Sequence, residues 1–126
     1  MATLNKVTLI GNLGSNPEIK TGSNEKPFAV LSLATHDNRK DKDGNKVTYT
    51  EWHHVLVFNE QAVTFASQYL KKGDLVYVEG QLRTFEQTNE EGQVVRSLRV
   101  VIPRYEGQLM ALNQAKKDQP QTQEQA

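Results

Sequence analysis

Only one segment of this 126-residue chain has the periodicity of a helix, and this limits the folds that the chain can adopt. Apolar residues recur at helical spacing over residues 62–70, and Asn59 can cap the start of that helix. Lys71 and Lys72 suit its last turn, and Gly73 can end it. The other patterned segments are rich in β-branched and aromatic residues, which favour strands. These predicted strands cover residues 7–10, 28–35, 47–58, 75–83, with a bend at Gly80, and 94–103.

The order of these elements predicts the fold class. A five-stranded barrel with its one α-helix between strands three and four is the OB-fold arrangement, so we predict an all-β OB-fold with two long β-hairpins. A generic α+β sheet can share the same order of elements. The predicted domain covers residues 1–112. Residues 113–126 are rich in Gln and have no periodicity, which predicts a short disordered tail.

Composition excludes several classes of function. The chain has no Cys, which excludes disulfides, thiol catalysis and Cys-ligated metal sites. No apolar run approaches the ~20 residues of a membrane-spanning helix and no secretory signal is recognisable, so we expect a cytoplasmic protein. Fifteen Lys and Arg balance fifteen Asp and Glu, whereas many nucleic-acid-binding domains are strongly basic. A local basic groove remains compatible with this neutrality because the surface field depends on where charges lie.

No group of residues resembles a catalytic or metal site. His53 and His54 are neighbours in a strand, so their side chains point to opposite faces and cannot bind one metal together. The segment 41–44 partly resembles the start of a calcium loop, but Trp52 stands where that loop needs Glu, which favours a plain hairpin turn. Residues 11–14 lack the lysine and third glycine of phosphate-binding loops, and no Ser or Thr lies in a nucleophile elbow. We therefore expect a binding protein without enzymatic activity, metal or cofactor.

Aromatic and basic residues share the same strands and hairpins. The even spacing of Trp52, His54 and Phe58 places them on one face of the third strand, and Arg83 shares a face of the fourth strand with Phe85. Aromatic rings stack on unpaired bases with about 1–3 kcal/mol per base while cations neutralise the backbone, so this pattern indicates single-stranded nucleic acid. A Trp and a Phe on a barrel strand also fit a protein core. The hairpins add the basic residues Arg39, Lys40, Lys42 and Lys46 on the first and Arg96 and Arg99 on the second.

The sequence contains four informative blocks, which are residues 5–14 with Asn16-Pro17-Glu18, residues 50–55, residues 69–73 and residues 76–84. These blocks resemble bacterial single-stranded DNA-binding proteins. They occur in the order of that family, and the similarity spans about residues 1–112. The resemblance implies an OB-fold, a homotetramer, and a protein that binds and protects single-stranded DNA without sequence specificity. It further implies a role in DNA replication, recombination and repair in the bacterial cytoplasm, associated with the nucleoid.

The resemblance also implies roles for individual residues. His53 matches a histidine of subunit contacts, although packing within one subunit is an alternative for it. Phe85 stands where the family more often has a basic residue, and we expect it to act as a substitute stacking residue. Trp52 and Phe58 correspond to stacking residues, while Lys6, Lys72 and Arg83 correspond to phosphate contacts. Together with the residues on the hairpins, the predicted DNA-binding set is Lys6, Arg39, Lys40, Lys42, Trp52, His54, Phe58, Lys72, Arg83, Phe85 and Arg96.

Departures from the family pattern change the expected mechanism. Many relatives have further tryptophans where this chain has Asn38-Arg39 and Gln87, so we expect binding here to depend more on charge. Relatives usually end in an acidic tip closed by apolar residues that recruits replication and repair proteins. Residues 119–126 have neither feature, so we do not expect recruitment of such proteins by that route. Two rival functions remain open at this stage: a primosome-type OB protein that mainly holds protein partners, and a structural adaptor whose aromatic face is an interface.

Overall fold

The described part of this protein folds into seven strands and one helix. The structure is a computed structural model that describes residues 2–22 and 24–113. Its one described helix has ten residues and is too short to cross a membrane. In chain order, the elements are β1 (Val7–Leu13), β2 (Glu18–Thr21), β3 (Pro27–Lys40), β4 (Lys46–Val57), α1 (Glu60–Tyr69), β5 (Leu75–Thr88), β6 (Val94–Ile102) and β7 (Gln108–Asn113).

Five of the strands close into a barrel. Neighbouring strands follow the order β1, β3, β4, β6 and β5, and β1 pairs with β5 to close the ring. All of these pairs are antiparallel except β4 with β6, which is parallel. The five strands are those that the sequence predicts, and α1 lies between the third and fourth of them. The predicted five-stranded OB-fold arrangement is therefore confirmed.

The core fills the barrel because alternate residues of each strand point inward. On β3, Ala29, Leu31 and Leu33 are fully buried, and they lie opposite Val57, Val55 and His53 of β4. The helix α1 adds Val63 and Ala66 to the same cluster. The outward face of the strands is therefore free to carry functional side chains. The remaining buried members of the cluster are Leu13, Leu70, Val76, Val78, Val100 and Ile102.

Gly80 marks the point at which β5 changes partners. The strand pairs with β1 as far as Gly80, which lies opposite Val7, and with β6 from Gln81 onward. A Cβ atom built on Gly80 would lie 2.4 Å from the carbonyl oxygen of Val101. The predicted bend thus coincides with a close approach between two backbones that only Gly permits.

The structure differs from the predicted elements at the end of the helix and at two additional strands. The helix has Asn59 as its N-cap, as predicted, but it ends at Tyr69, so Lys71 and Lys72 lie beyond its last turn. The cause is local, because the Lys71 N–H donates to the Asp74 side chain at 3.0 Å instead of continuing the helical pattern. The structure also contains two strands that the sequence did not predict, β2 beside β3 and β7 beside β5. Asn113, the first residue of the predicted tail, is the last residue of β7, and the rest of the predicted tail lies outside the described residues, so the tail stays a prediction.

Candidate nucleic-acid interface

The outer side of the β3–β4 ladder carries the predicted stacking residues. Trp52 lies opposite Ala34 and His54 opposite Ser32, whereas the core residues of both strands point to the other side. Phe58 follows β4 at the same even spacing, so it continues this outer row. The strand register thus places Trp52 and His54 on one face, and Phe58 follows in the same alternation, while their role in binding stays a prediction.

Trp52 is a half-exposed ring supported from one side. Its side chain is 54% exposed, which is unusual for so large an apolar group. A Cβ atom built on Gly14 would lie 2.4 Å from Cζ3 and 2.7 Å from Cη2 of the indole, so the ring lies close against the Gly14 backbone. A ring that is held against the backbone and still open to solvent can offer its surface to an unpaired base.

Phe58 forms part of an aromatic pair further along the same face. Its ring centroid lies 5.3 Å from that of Phe28, with 31° between the ring planes. The Phe58 N–H donates to the Ile102 carbonyl at 2.8 Å, which fixes the backbone at the point where the chain leaves β4. The sequence pattern places Phe28 in a strand but not in the site. Its even spacing from Ala34 along β3, which puts it on the face of Trp52, is the signal that could have included it.

The β5–β6 hairpin extends this outer face. Val101 lies opposite both Leu56 of β4 and Gln81 of β5, which joins the two ladders into one continuous surface. On that surface Arg83 lies opposite Arg99. The Arg99 guanidinium carbon is 5.5 Å from the centroid of the Phe85 ring, which is the geometry of a cation–π contact. We call this outer surface of β3, β4, β6 and β5, defined by Trp52, His54, Phe58, Arg83, Phe85 and Arg99, the aromatic face.

Two arginines of the predicted set lie on the opposite side of their hairpins. Arg96 lies opposite Glu86 and contacts its carboxylate at 2.8 Å. Glu86 and Phe85 are neighbours along β5, so Arg96 is on the face opposite to that of Phe85. Arg39 contacts the Asp37 carboxylate at 2.7 Å and covers the ring of Tyr49. Asp37 and Tyr49 are odd-numbered residues of the first hairpin, so they lie on the face opposite to that of Trp52. The structure therefore does not bring Arg39 and Arg96 together with the stacking residues.

The remaining predicted cations are distributed around the aromatic face. Lys40 lies on the same face of the first hairpin as Trp52, and Lys42 lies in the turn at the tip of that hairpin. The Lys72 N–H donates to the Asn16 side chain at 2.8 Å, which places it beside the loop that follows Gly14. Lys6 lies beside β5, with its Nζ 3.5 Å from the Glu79 carboxylate.

Glu79 also interacts with Tyr77. It accepts a hydrogen bond of 2.9 Å from the Tyr77 hydroxyl. That bond is the main reason why the pKa of the Tyr77 hydroxyl lies above its usual value of 10.0, with desolvation and the Glu79 charge adding to it. The Tyr77 hydroxyl is therefore neutral at physiological pH and acts as a donor.

Charge is segregated between the two sides of the sheet. On the aromatic side, Lys40 and Lys46 lie on the first hairpin and Arg83 and Arg99 on the second. The described residues of that parity in β3, β4 and β6, and in β5 from Gln81 onward, include no Asp or Glu. The carboxylates of these segments, Asp37, Glu51 and Glu86, have the opposite parity, whereas Glu79, in the part of β5 that pairs with β1, shares the parity of Arg83. A chain with no net charge can therefore present one basic surface, which is the possibility that the sequence left open.

His53 and the Asp-rich turn have local explanations in the structure. His53 is half-buried, and its Nε2 lies 3.0 Å from the Thr35 hydroxyl on the side away from Trp52. In the turn, Asp41 accepts hydrogen bonds from the N–H groups of Asp43 and Asn45, so its carboxylate closes the tip of the first hairpin. Across residues 2–22 and 24–113, no three His, Asp or Glu side chains come together as a metal site.

Comparison with known proteins identifies the family. The profile of the single-strand binding protein family matches residues 4–108. The chain is 38% identical over 118 residues to the single-stranded DNA-binding protein of Rickettsia prowazekii, covering 93% of this chain and 78% of that protein. It is 48% identical over 93 residues to single-stranded DNA-binding protein 1 of Xylella fastidiosa, covering 73% of this chain and 68% of that protein.

Solved structures agree with this match. The SSB of Plasmodium falciparum in complex with ssDNA superposes with a TM-score of 0.81 at 31% identity, covering 90% of this chain and 98% of that one. A deletion mutant of the Thermus aquaticus single-stranded DNA binding protein superposes with a TM-score of 0.69 at 25% identity, covering 87% of this chain and 51% of that one. Because the family match includes every strand of the barrel, this chain belongs to the single-strand binding protein family.

Proposed function

We propose that this protein binds and protects single-stranded DNA, without sequence specificity, during DNA replication, recombination and repair. The observation that carries this proposal is the aromatic face, which combines the exposed ring of Trp52 and the half-buried rings of Phe58 and Phe85 with cations. The face has no carboxylate in the described β3, β4 and β6 or in β5 from Gln81 onward. Proteins of this family are non-enzymatic DNA-binding proteins, so we assign no reaction to the chain.

The mechanism follows from the chemistry of the two partners. Bases stack on Trp52, Phe58 and Phe85, while Arg83 and the hairpin lysines neutralise the phosphates between them. Duplex DNA buries its base faces in its own stack, so the same surface discriminates against it. Since every base has an aromatic face, stacking supports binding without sequence preference.

The set of residues that we assign to DNA contact follows the geometry of the face. We add Arg99, which lies on the Phe85 ring, and we give Arg39 and Arg96 no direct contact because they lie on the other side of their hairpins. Lys6 is assigned only a peripheral contact, since Glu79 already holds its ammonium group. The retained residues are Lys40, Lys42, Trp52, His54, Phe58, Lys72, Arg83 and Phe85.

We further propose that the protein is a homotetramer in the bacterial cytoplasm, associated with the nucleoid. Supporting self-association, Ile10, Met110 and Leu112 are between 44% and 53% exposed on the outer side of β1 and β7, which is a large apolar area for a free surface. His53 is assigned to a subunit contact on the strength of the family resemblance. Recruitment of replication and repair proteins through the end of the chain is not part of this proposal.

The test is a titration of the purified protein with oligo-dT, monitored by protein fluorescence. Trp52 is the chain's one tryptophan, so the signal reports on the aromatic face directly. We expect strong quenching at low salt, none with duplex DNA, and a log–log salt slope of about −0.7 per phosphate neutralised. Tight binding without quenching would remove Trp52 from the mechanism. No binding at low salt would contradict the proposed function and favour a protein-interface role for the face.

A further inference from the structure

A pocket adjoins the aromatic face beside the Phe28–Phe58 pair. Lys26 precedes Phe28 by two residues and Asn59 follows Phe58, so the pocket begins where the aromatic row ends. Its volume is about 370 Å³, which is enough for a nucleotide-sized group. It is lined by Lys26, Asn59, Glu60, Gln61, Arg104 and Tyr105.

Two cations in this pocket share a single carboxylate. Lys26 Nζ lies 3.7 Å from Glu60 Oε2, and Arg104 Nη1 lies 3.2 Å from the same oxygen. One carboxylate charge neutralises only one of the two, so the lining of the pocket has a net positive charge. The Lys26 and Glu60 side chains are both more than half exposed, so solvent screens the pairs and a phosphate can compete for these cations.

Tyr105 supplies an exposed ring at the same place. Its side chain is 88% exposed, so it contributes almost nothing to the core. It lies next to Arg104 in the loop between β6 and β7. An exposed ring beside unneutralised positive charge is the same combination that defines the aromatic face.

We propose that this pocket is a further subsite for the same single strand of DNA. Lys26 and Arg104 hold a backbone phosphate, and Tyr105 stacks on the base of a nucleotide beyond the one on Phe58. This inference rests on the proposed function, because it extends the path of the strand across the protein. Glu60 then has a defined role, since it orients the two cations and competes with the phosphate for them.

The test compares Arg104→Ala and Tyr105→Ala with the unmodified protein in oligo-dT titrations at several salt concentrations. We expect Arg104→Ala to reduce the magnitude of the log–log salt slope by about 0.7, the contribution of one phosphate on a single strand. Tyr105→Ala should weaken binding about 5-fold or more and leave the slope unchanged, because the ring carries no charge. Arg96→Ala is the matched control, since it removes an ion-paired arginine from the other side of the sheet.

Glu60→Gln separates a binding role from a structural one. If Glu60 competes with phosphate, its neutral variant should bind oligo-dT more tightly than the unmodified protein. If the Glu60–Arg104 pair only stabilises the contact between α1 and the loop that joins β6 to β7, Glu60→Gln should lower the thermal stability and leave the affinity for oligo-dT unchanged. That result would overturn the subsite.

The fluorescence of Trp52 distinguishes failure of this subsite from failure of the proposed function. Variants with the affinity and slope of the unmodified protein, with Trp52 still quenched, would refute the subsite alone. Absence of binding by the unmodified protein would refute both.

Discussion

Gly14 is the residue on which the geometry of Trp52 depends. The indole lies so close to the Gly14 backbone that a methyl group there would lie 2.4 Å from Cζ3. The atoms that would be contacted are at the far end of a half-exposed side chain, so the ring can move away at modest cost. Gly14 is therefore a positioning residue, which acts on DNA through Trp52.

We predict that Gly14→Ala impairs DNA binding more than it impairs folding. Displacing the ring should cost about 1 kcal/mol of stability or less, because the side chain is exposed enough to relax. Affinity for oligo-dT should fall about 5-fold or more, the lower end of the contribution of one stacked base. Titration and thermal melting of the variant measure the two effects.

A double-mutant cycle supplies the control for this prediction. In a Trp52→Ala background, Gly14→Ala should cause no further loss of affinity, because the ring that it displaces is absent. Additive losses in the double variant would show that Gly14 acts on DNA by another route.

The sequence shows which residues share a face of a strand, because alternate residues point to the same side. It does not show which residues of different strands come into contact. Even spacing was enough to group Trp52 with His54 and Phe58. The contact of Trp52 with Gly14 depends on how β1 crosses β3, which no local pattern records. The side occupied by Arg96 and Arg99 depends on the register of the second hairpin, which the sequence does not specify.

At the scale of elements, β6 provides two arginines with opposite environments. Arg99 lies on the Phe85 ring, and Arg96 three residues earlier pairs with Glu86 on the other side. We predict that Arg99→Ala weakens oligo-dT binding and reduces the salt slope by about 0.7, whereas Arg96→Ala leaves both nearly unchanged. Salt-dependent titrations of the two variants measure this difference. Equal effects of the two substitutions would mean that DNA contacts both sides of the hairpin.

Gly80 matters for the stability of the barrel, whereas Gly14 matters for the position of the Trp52 ring. Each glycine would place a new Cβ atom 2.4 Å from its nearest neighbour, but at Gly80 that neighbour is the carbonyl oxygen of Val101. A backbone atom inside the barrel cannot move aside as a ring can. We therefore predict that Gly80→Ala lowers the free energy of unfolding by about 1–3 kcal/mol or more, measured by urea denaturation. Gly14→Ala is its control, and equal losses in the two variants would refute the distinction.

Most of the elements could be predicted because most of them are buried on one side. The five barrel strands alternate between core and surface, and that alternation is visible in the sequence. β2 could not be predicted, since all four of its residues are exposed and it has no apolar side. The predicted end of α1 is too late because the Lys71 N–H donates a hydrogen bond to the buried Asp74 side chain. Helix propensities do not include a contact of this kind.

At the scale of the whole molecule, two outer surfaces of one barrel have different chemistry. The aromatic face is basic and carries the exposed ring of Trp52. The outer side of β1 and β7 presents Ile10 and Met110 on either side of Tyr77, to which both are paired across the sheet. An apolar surface of this kind is suited to contact with another copy of the chain, which leaves the aromatic face open to DNA.

We predict that Ile10→Glu dissociates the proposed homotetramer into smaller species. A carboxylate buried at a subunit contact without a partner costs several kcal/mol. Every 1.4 kcal/mol changes a dissociation constant about tenfold, so a loss of that size is readily seen at micromolar protein. Light scattering after size-exclusion chromatography measures the mass. Leu98→Glu is the control because Leu98 is at least as exposed but lies on the second hairpin, away from this surface. An unchanged mass for Ile10→Glu would show that any assembly uses a different face, and the Trp52 titration would still report on DNA binding independently.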